Sequence, residues 1–452
     1  MSEQTAENKM GVKPEGRLLF GMSLPMMISM LVQALYNIVD SIFVSKIDQD
    51  ALTAVSLAFP MQLLMVAIGA GTGVGVNALI SRSLGEKRQD RANAVAANGI
   101  FVYILSYLAI LVIALLFVRP FYAMQTNEEQ RAIMEYGVKY LSIVMIFSFG
   151  IFAQFLFERM LQATGRTLFT MFSQGIGAII NLIFDPLLIF GIGPFPEMGI
   201  SGAAIATVMG QIIAGCIALW GNIALNKDIH ISLKGFKPEG EIIKSIYKIG
   251  VPSIIMQSIG SVMTTGMNLI LMPLSDTAAA VFGVYFKLQS FFFMPVIGLN
   301  NGLIPIISYN YGARKKKRII NTLKYGYIIA FAFLMAGLAA FELIPDKLLM
   351  LFDASDAMIA IGCRALRIIG LHFLIAWFCI ITGSMFQAMG NAVYSMYVSI
   401  CRQLVVLLPA AFILATVGGV DAIWWSFPLA ELMSAAVTLI CMKKTAGILK
   451  GM

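Results

Sequence analysis

The chain has 452 residues, of which 59% are hydrophobic and only 12% charged. Soluble domains carry about 25% charged residues, so this composition excludes a water-soluble enzyme, a nucleic-acid-binding protein and a disordered chain. Its net charge of +8 is explained below by membrane topology.

A polar segment, residues 1–16, opens the chain. It has no short apolar stretch ending in a cleavage site, so no signal peptide is expected. Twelve apolar runs follow, at 17–45, 51–81, 93–118, 137–157, 167–192, 199–225, 246–273, 278–309, 322–344, 364–388, 393–417 and 420–442. A membrane-spanning helix needs about 20 apolar residues, so each run predicts one span, the longer ones tilted or extended. The runs are continuous rather than alternating, which excludes a β-barrel. The expected fold is an all-α polytopic membrane protein of twelve spans. It comprises a six-helix lobe over 17–225, a polar linker over 226–245, a second lobe over 246–442 and a tail over 443–452.

The basic residues are distributed unequally. With both termini on the cytoplasmic side, 23 of the 32 Lys and Arg lie there, seven lie outside, and Lys287 and Arg402 fall within spans. Arg159 and Arg166 count with the cytoplasmic group, as does the run Arg314 to Arg318. This bias predicts cytoplasmic termini and an even number of spans. Five cysteines without CxxC spacing suggest neither a disulfide framework nor a metal site. With two histidines in the chain, a histidine-based metal centre is not expected. No Walker A, GxSxG or HExxH motif is present, and no enzymatic activity is expected.

The two halves repeat. A shift of 227 residues pairs Pro25 with Pro252, Gln62 with Gln289, Gly75 with Gly302 and Ser81 with Ser308. A shift of 225 pairs Met160-Leu-Gln-Ala-Thr-Gly165 with Met385-Phe-Gln-Ala-Met-Gly390, and a shift of 220 pairs Gly199 with Gly419. Each half starts on the same side, so the repeat is parallel, as in transporters whose bundles rock about a central site.

Charges inside a bilayer cost roughly 2.5–3.5 kcal/mol each on insertion scales, which singles out Asp40, Asp185 and Glu431. Tyr36 and Asp40 share a helix face, with Gln33 and Asn37 nearby. Asn181 and Asp185 also share a face, and Pro186 is expected to kink the helix beside them. Thr207 and Gln211 are placed to add oxygens. A carboxylate with amide and hydroxyl oxygens suits a proton or a cation such as Na+. The repeat places Met267 opposite Asp40, Leu404 opposite Asn181 and Leu408 opposite Asp185. The carboxylates are therefore not required by the fold, and an ion site is expected in the first half. Glu431 aligns with Gln211, which fits a second protonatable group or simple helix packing. Lys287 and Arg402 fit either acid partners or a cavity lining. His372 fits a satisfied interior residue better than a proton relay. The 29 methionines and 31 phenylalanines suit a cavity for bulky lipophilic cations.

Several segments resemble the MATE (multidrug and toxic compound extrusion) family: Leu24-Pro25, Gly73-Val-Gly-Val-Asn77 with Ser81-Arg-Ser-Leu-Gly85, and the paired Gln-Ala-x-Gly segments. Asn181-x-x-x-Asp185-Pro186 followed by Gly199-Ile-Ser-Gly-Ala-Ala-Ile-Ala-Thr207 carries the same likeness, which extends over nearly the whole chain. The resemblance implies two V-shaped six-helix lobes. It also implies export of drugs or organic cations in exchange for H+ or Na+ by alternating access, from the cytoplasmic membrane of a bacterium. Within the DinF-like branch, close to the MepA-type exporters, it implies a coupling site at Asp40, Asn181, Asp185 and Thr207, which would also be the Na+ site. Acids expected in the seventh and tenth helices of the NorM-type branch are absent from 246–273 and 364–388. The implied partners are small lipophilic cations and the lipid bilayer. No nucleic acid and no cofactor beyond the coupling ion are expected, and the protein is expected to act as a monomer. A flippase for lipid-linked sugars, a membrane-embedded enzyme and a channel fit the residues less well.

Overall fold

The computed structural model describes residues 8–352 and 354–451. Among these every regular element is helical. The spans are α1 (Glu15–Ser45), α2 (Gln49–Gly85), α3 (Gln89–Ala123), α4 (Arg131–Ile146 with Phe149–Ala163), α5 (Thr167–Phe190) and α6 (Ile200–Ala224). The second set is α7 (Gly240–Leu271), α8 (Asp276–Gly312), α9 (Lys316–Leu343), α10 (Asp356–Gly370 with Phe373–Ala388), α11 (Ala392–Ile423) and α12 (Ser426–Lys450). Ten of these are single helices long and apolar enough to cross a membrane. The bent pairs α4 (42°) and α10 (49°) bring the number to twelve. The apolar runs of the sequence thus mark every span. The helices exceed the runs at their polar ends, because intrahelical hydrogen bonds continue past the hydrocarbon layer. Large apolar side chains such as Leu115, Leu116 and Leu269 are exposed, as suits a face turned to lipid.

The repeat is visible in backbone detail. The second helix of each half is capped by a side chain at the equivalent position: Asp48 accepts from the Ala51 N–H at 2.6 Å and Ser275 from the Ala278 N–H at 3.2 Å. Lys87 and Arg314, 227 residues apart, both adopt positive φ (58° and 55°). The Ser81 hydroxyl donates to the Ala163 carbonyl at 2.9 Å, and Ser308 donates to Ala388 at the same distance. Gly165 and Gly390 both have φ +84°. Nothing lies within 4 Å of a Cβ added at Gly390, so only the backbone conformation demands glycine there. Gly165→Ala and Gly390→Ala are each expected to cost about 1–2 kcal/mol and by similar amounts, measurable as matched losses of thermal stability in detergent.

The bends also repeat. The break in α4 at Phe147 and Ser148 recurs 225 residues later at His372, which precedes the second part of α10. The kink expected at Pro186 does not interrupt α5, which runs through it as a single helix. The equivalent proline, Pro409, follows a π-helical stretch, Cys401–Leu407, inside α11. A wider turn is one way for a helix to accommodate the missing proline N–H.

Contacts divide the described residues into two units. One holds Asn8 and Ile28–Gly250; the other holds Lys9–Met27 and the chain from Val251 onward. The first parts of α1 and α7 are therefore exchanged between the repeats. In the first unit, a Cβ on Gly75 of α2 would lie 2.3 Å from the Ile246 carbonyl oxygen of α7. In the second, a Cβ on Gly302 of α8 would lie 2.9 Å from the Ser23 backbone nitrogen of α1. Glycines permit such backbone contact between helices in a membrane. The linker runs along the start of α3, where Asn93 accepts from the His230 N–H (2.8 Å) and Asn98 from the Glu239 N–H (2.9 Å).

Arg159 does not belong with the surface basic residues. It lies within the second part of α4 at 9% exposure, donating to Gln162 at 2.9 Å. It lies four residues before the end of that helix at Ala163, so it is held among neighbouring helices while Arg166 lies beyond the helix end.

Candidate functional site

Within the first unit, α5 and α6 approach backbone to backbone. A Cβ on Gly177 would lie 2.8 Å from the Gly210 carbonyl oxygen, and one on Gly210 would lie 2.6 Å from that of Gly177. One turn along α5 from Gly177 comes Asn181, and another turn brings Asp185; Thr207 faces them from α6. The Asn181 amide donates to Asp185 Oδ1 at 3.3 Å and to Thr207 Oγ1 at 3.3 Å. In the opposite amide orientation it donates to Asp185 Oδ2 at 3.2 Å and accepts from the Thr207 N–H at 3.2 Å. Either way one side chain ties Asp185 to α6. Asp185 is fully buried and Asn181 nearly so.

Asp40 enters from α1. Its carboxyl lies within hydrogen-bond reach of that of Asp185, while its Oδ1 makes no hydrogen bond. Tyr36, one turn earlier, is within electrostatic reach of both acids. Burying polar groups is costly unless they find partners, and this cluster supplies partners chiefly to one another. The structure therefore brings together Tyr36, Asp40, Asn181, Asp185 and Thr207.

The remaining candidates are placed differently. Gln211 lies one turn beyond Thr207, its Oε1 without a hydrogen bond. Gln33 is exposed, and the side chain of Asn37 lies outside those described. Lys287 is exposed and sits 5.9 Å from the Phe352 ring centroid. Glu431 pairs with Arg402 (3.5 Å) in the second unit. His372 is buried with Nδ1 2.6 Å from the Ile369 carbonyl and its ring against Phe373, the satisfied interior placement.

Two features escaped the sequence reading. Tyr140 of α4 is 3% exposed, accepts from the Gln62 amide of α2 at 3.1 Å, and lies within electrostatic reach of Asp40, Tyr36 and Asp185. Tyrosine and glutamine in apolar runs are common, so only the fold marks them. Glu158, beside Arg159, is a further buried acid inside a span. It is 2% exposed and accepts from Gln154 (3.1 Å), Ser173 (3.3 Å) and Gln174. Its position near the end of an apolar run made it resemble a loop residue.

The MatE family model matches twice, over 25–187 and 252–413, once in each repeat. The chain is 27% identical to the multidrug export protein MepA of Staphylococcus haemolyticus, covering 92% of this chain and 91% of that one. It is 26% identical to a FAD transporter of Shewanella oneidensis, covering 93% and 92%. Its fold matches, with a TM-score of 0.92 over the full length of both chains and 24% identity, the outward-facing conformation of a multidrug resistance MATE family transporter of the MOP superfamily. With its twofold match and its helical repeat, the chain belongs to the MatE family, the multidrug efflux transporters.

Proposed function

We propose that the chain is a secondary active antiporter that exports small lipophilic organic cations in exchange for H+ or Na+, with the coupling site at Asp40, Asn181, Asp185 and Thr207. The observation that carries this reading is the approach of the Asp40 carboxyl to the fully buried carboxyl of Asp185, with one Asp40 oxygen unpartnered. Two carboxyl groups in such contact are joined by a proton held between them, and like-charge repulsion parts them when it leaves. Because Asp40 is on α1 and Asp185 on α5, loading and unloading the site shifts one helix against another. Na+ in place of the proton would draw on the same oxygens of Asp40, Asp185, Asn181 and Thr207, since hard cations take oxygen ligands. The mechanism is alternating access: the ion enters from outside, displaces the cationic drug and leaves on the cytoplasmic side, where substrate reloads. The basic clusters favour both termini in the cytoplasm, and on this reading the membrane is the cytoplasmic membrane of a bacterium.

Drug export and flavin transport both occur among relatives of similar identity, 27% and 26%, so the substrate is decided by the site and not by overall likeness. The acids of the first unit favour a cation over a dinucleotide. The test is counterflow in proteoliposomes loaded with a fluorescent organic cation, with separate arms for a pH gradient, a Na+ gradient and a flavin competitor. Cation movement driven by one of the gradients is expected. Movement of the flavin alone, or cation movement indifferent to both gradients, overturns the reading.

A further inference from the structure

The second repeat holds ionisable groups that this coupling reading leaves unused. On one face of α12, Glu431, Ser434 and Thr438 follow at three- and four-residue steps, each no more than 2% exposed. Glu431 Oε1 and both hydroxyl oxygens make no hydrogen bond. The other carboxylate oxygen, Oε2, lies 3.5 Å from Arg402 Nη1. The titratable and charged groups facing Glu431 are Arg402 of α11, Tyr285 of α8, and His372 and Cys379 of α10. The Tyr285 hydroxyl also lacks a partner. The His372 Nδ1 is occupied by the Ile369 carbonyl at 2.6 Å.

A buried carboxylate with one long ion-pair contact and one orphan oxygen is poorly compensated. A proton on Glu431 removes the charge and gives it a donor. The hydroxyls of Ser434 and Thr438, each both donor and acceptor, lie one and two turns along the same face of α12. Arg402 is built to leave: its side chain is 25% exposed against 3% for Glu431, and it is carried on the π-helical stretch Cys401–Leu407, an interruption typical of functional segments. In the repeat, that stretch aligns with the part of α5 bearing Asn181, and Glu431 aligns with Gln211 beside Thr207, whereas Asp40 and Asp185 match Met267 and Leu408; the acid–base pair of the second half is therefore its own feature.

We propose that Glu431 is a second proton-binding group, in the C-terminal repeat, which exchanges its ion pair with Arg402 for a proton. Its part in transport rests on the coupling reading above, to which it adds a proton beyond that held by Asp40 and Asp185. The test is infrared difference spectroscopy of the full-length protein in lipid during a pH titration, following the carboxylic C=O stretch. Glu431→Gln is expected to abolish one pH-dependent carboxylic component that Asp40→Asn and Asp185→Asn retain. An unchanged spectrum in Glu431→Gln overturns the proposal. Failure of the coupling reading has a different signature: Asp40→Asn and Asp185→Asn then match the unsubstituted protein, whatever Glu431 does. Should Glu431→Gln not fold, Arg402→Gln decides. With the cation removed, the pH dependence of the Glu431 component is expected to change, and a titration unchanged from the unsubstituted protein overturns the proposal.

Discussion

Asp40→Asn and Asp185→Asn are each expected to reduce gradient-driven cation efflux at least tenfold while the protein remains folded and inserted. Asparagine keeps the shape and the hydrogen-bonding reach of the side chain but cannot take up or release a proton at the carboxyl. For Asp185 the Asn181 amide, 3.3 Å away, still finds an oxygen to bond, so packing between α5 and α6 survives. A tenfold loss corresponds to about 1.4 kcal/mol of coupling, which is the scale of a single hydrogen bond to a charged group. Binding of the fluorescent cation in the absence of a gradient is expected to change less than efflux, because the substitution removes the exchange of the ion and not the cavity. Thr207→Val, which takes away one oxygen of the set but no carboxyl, is expected to lower efflux only severalfold. Full gradient-driven efflux in both Asn variants, measured in the same vesicles, would remove the first unit from the mechanism.

The sequence marked the membrane fold almost completely because the bilayer leaves few solutions. Each run had to be a helix long enough to cross, and its boundaries followed from where the charges begin. It marked Asp40, Asn181 and Asp185 for the same reason: a polar residue inside an apolar run stands out. The partners of these residues were less legible. Tyr140 is brought within electrostatic reach of Asp40 only by the fold, which also bonds it to Gln62, 78 positions away. Glu158 was hidden by Arg159, since an acid and a base side by side near the end of a run look like a loop. The response to proline was also not local. The α5 helix passes through Pro186 without a break, whereas the chain before Pro409 widens into a π-helix. The same residue type at equivalent positions gives two backbones.

Gly210→Ala is expected to impair efflux more than it impairs stability, which would show that the approach of α5 and α6 sets the site. A Cβ at Gly210 would lie 2.6 Å from the Gly177 carbonyl oxygen and 3.3 Å from Asn181 Cβ. The carbonyl belongs to a helix backbone and cannot rotate away, so the helices must separate by several tenths of an ångström. The Asn181 to Thr207 contact, already 3.3 Å, then passes the range of a useful hydrogen bond. Alanine gains about 1 kcal/mol over glycine in helix propensity, which offsets much of the about 1–3 kcal/mol that overpacking costs. Net stability should therefore change little, while efflux falls severalfold. Leucine at the same position exceeds what separation can absorb, and both folding yield and efflux are expected to collapse. Gly175, two residues before Gly177 on α5, supplies the control, since nothing lies within 4 Å of an added Cβ there. Gly175→Ala should raise thermal stability slightly and leave transport unchanged. Equal transport by Gly210→Ala and Gly175→Ala would mean that the spacing of α5 and α6 does not govern the site.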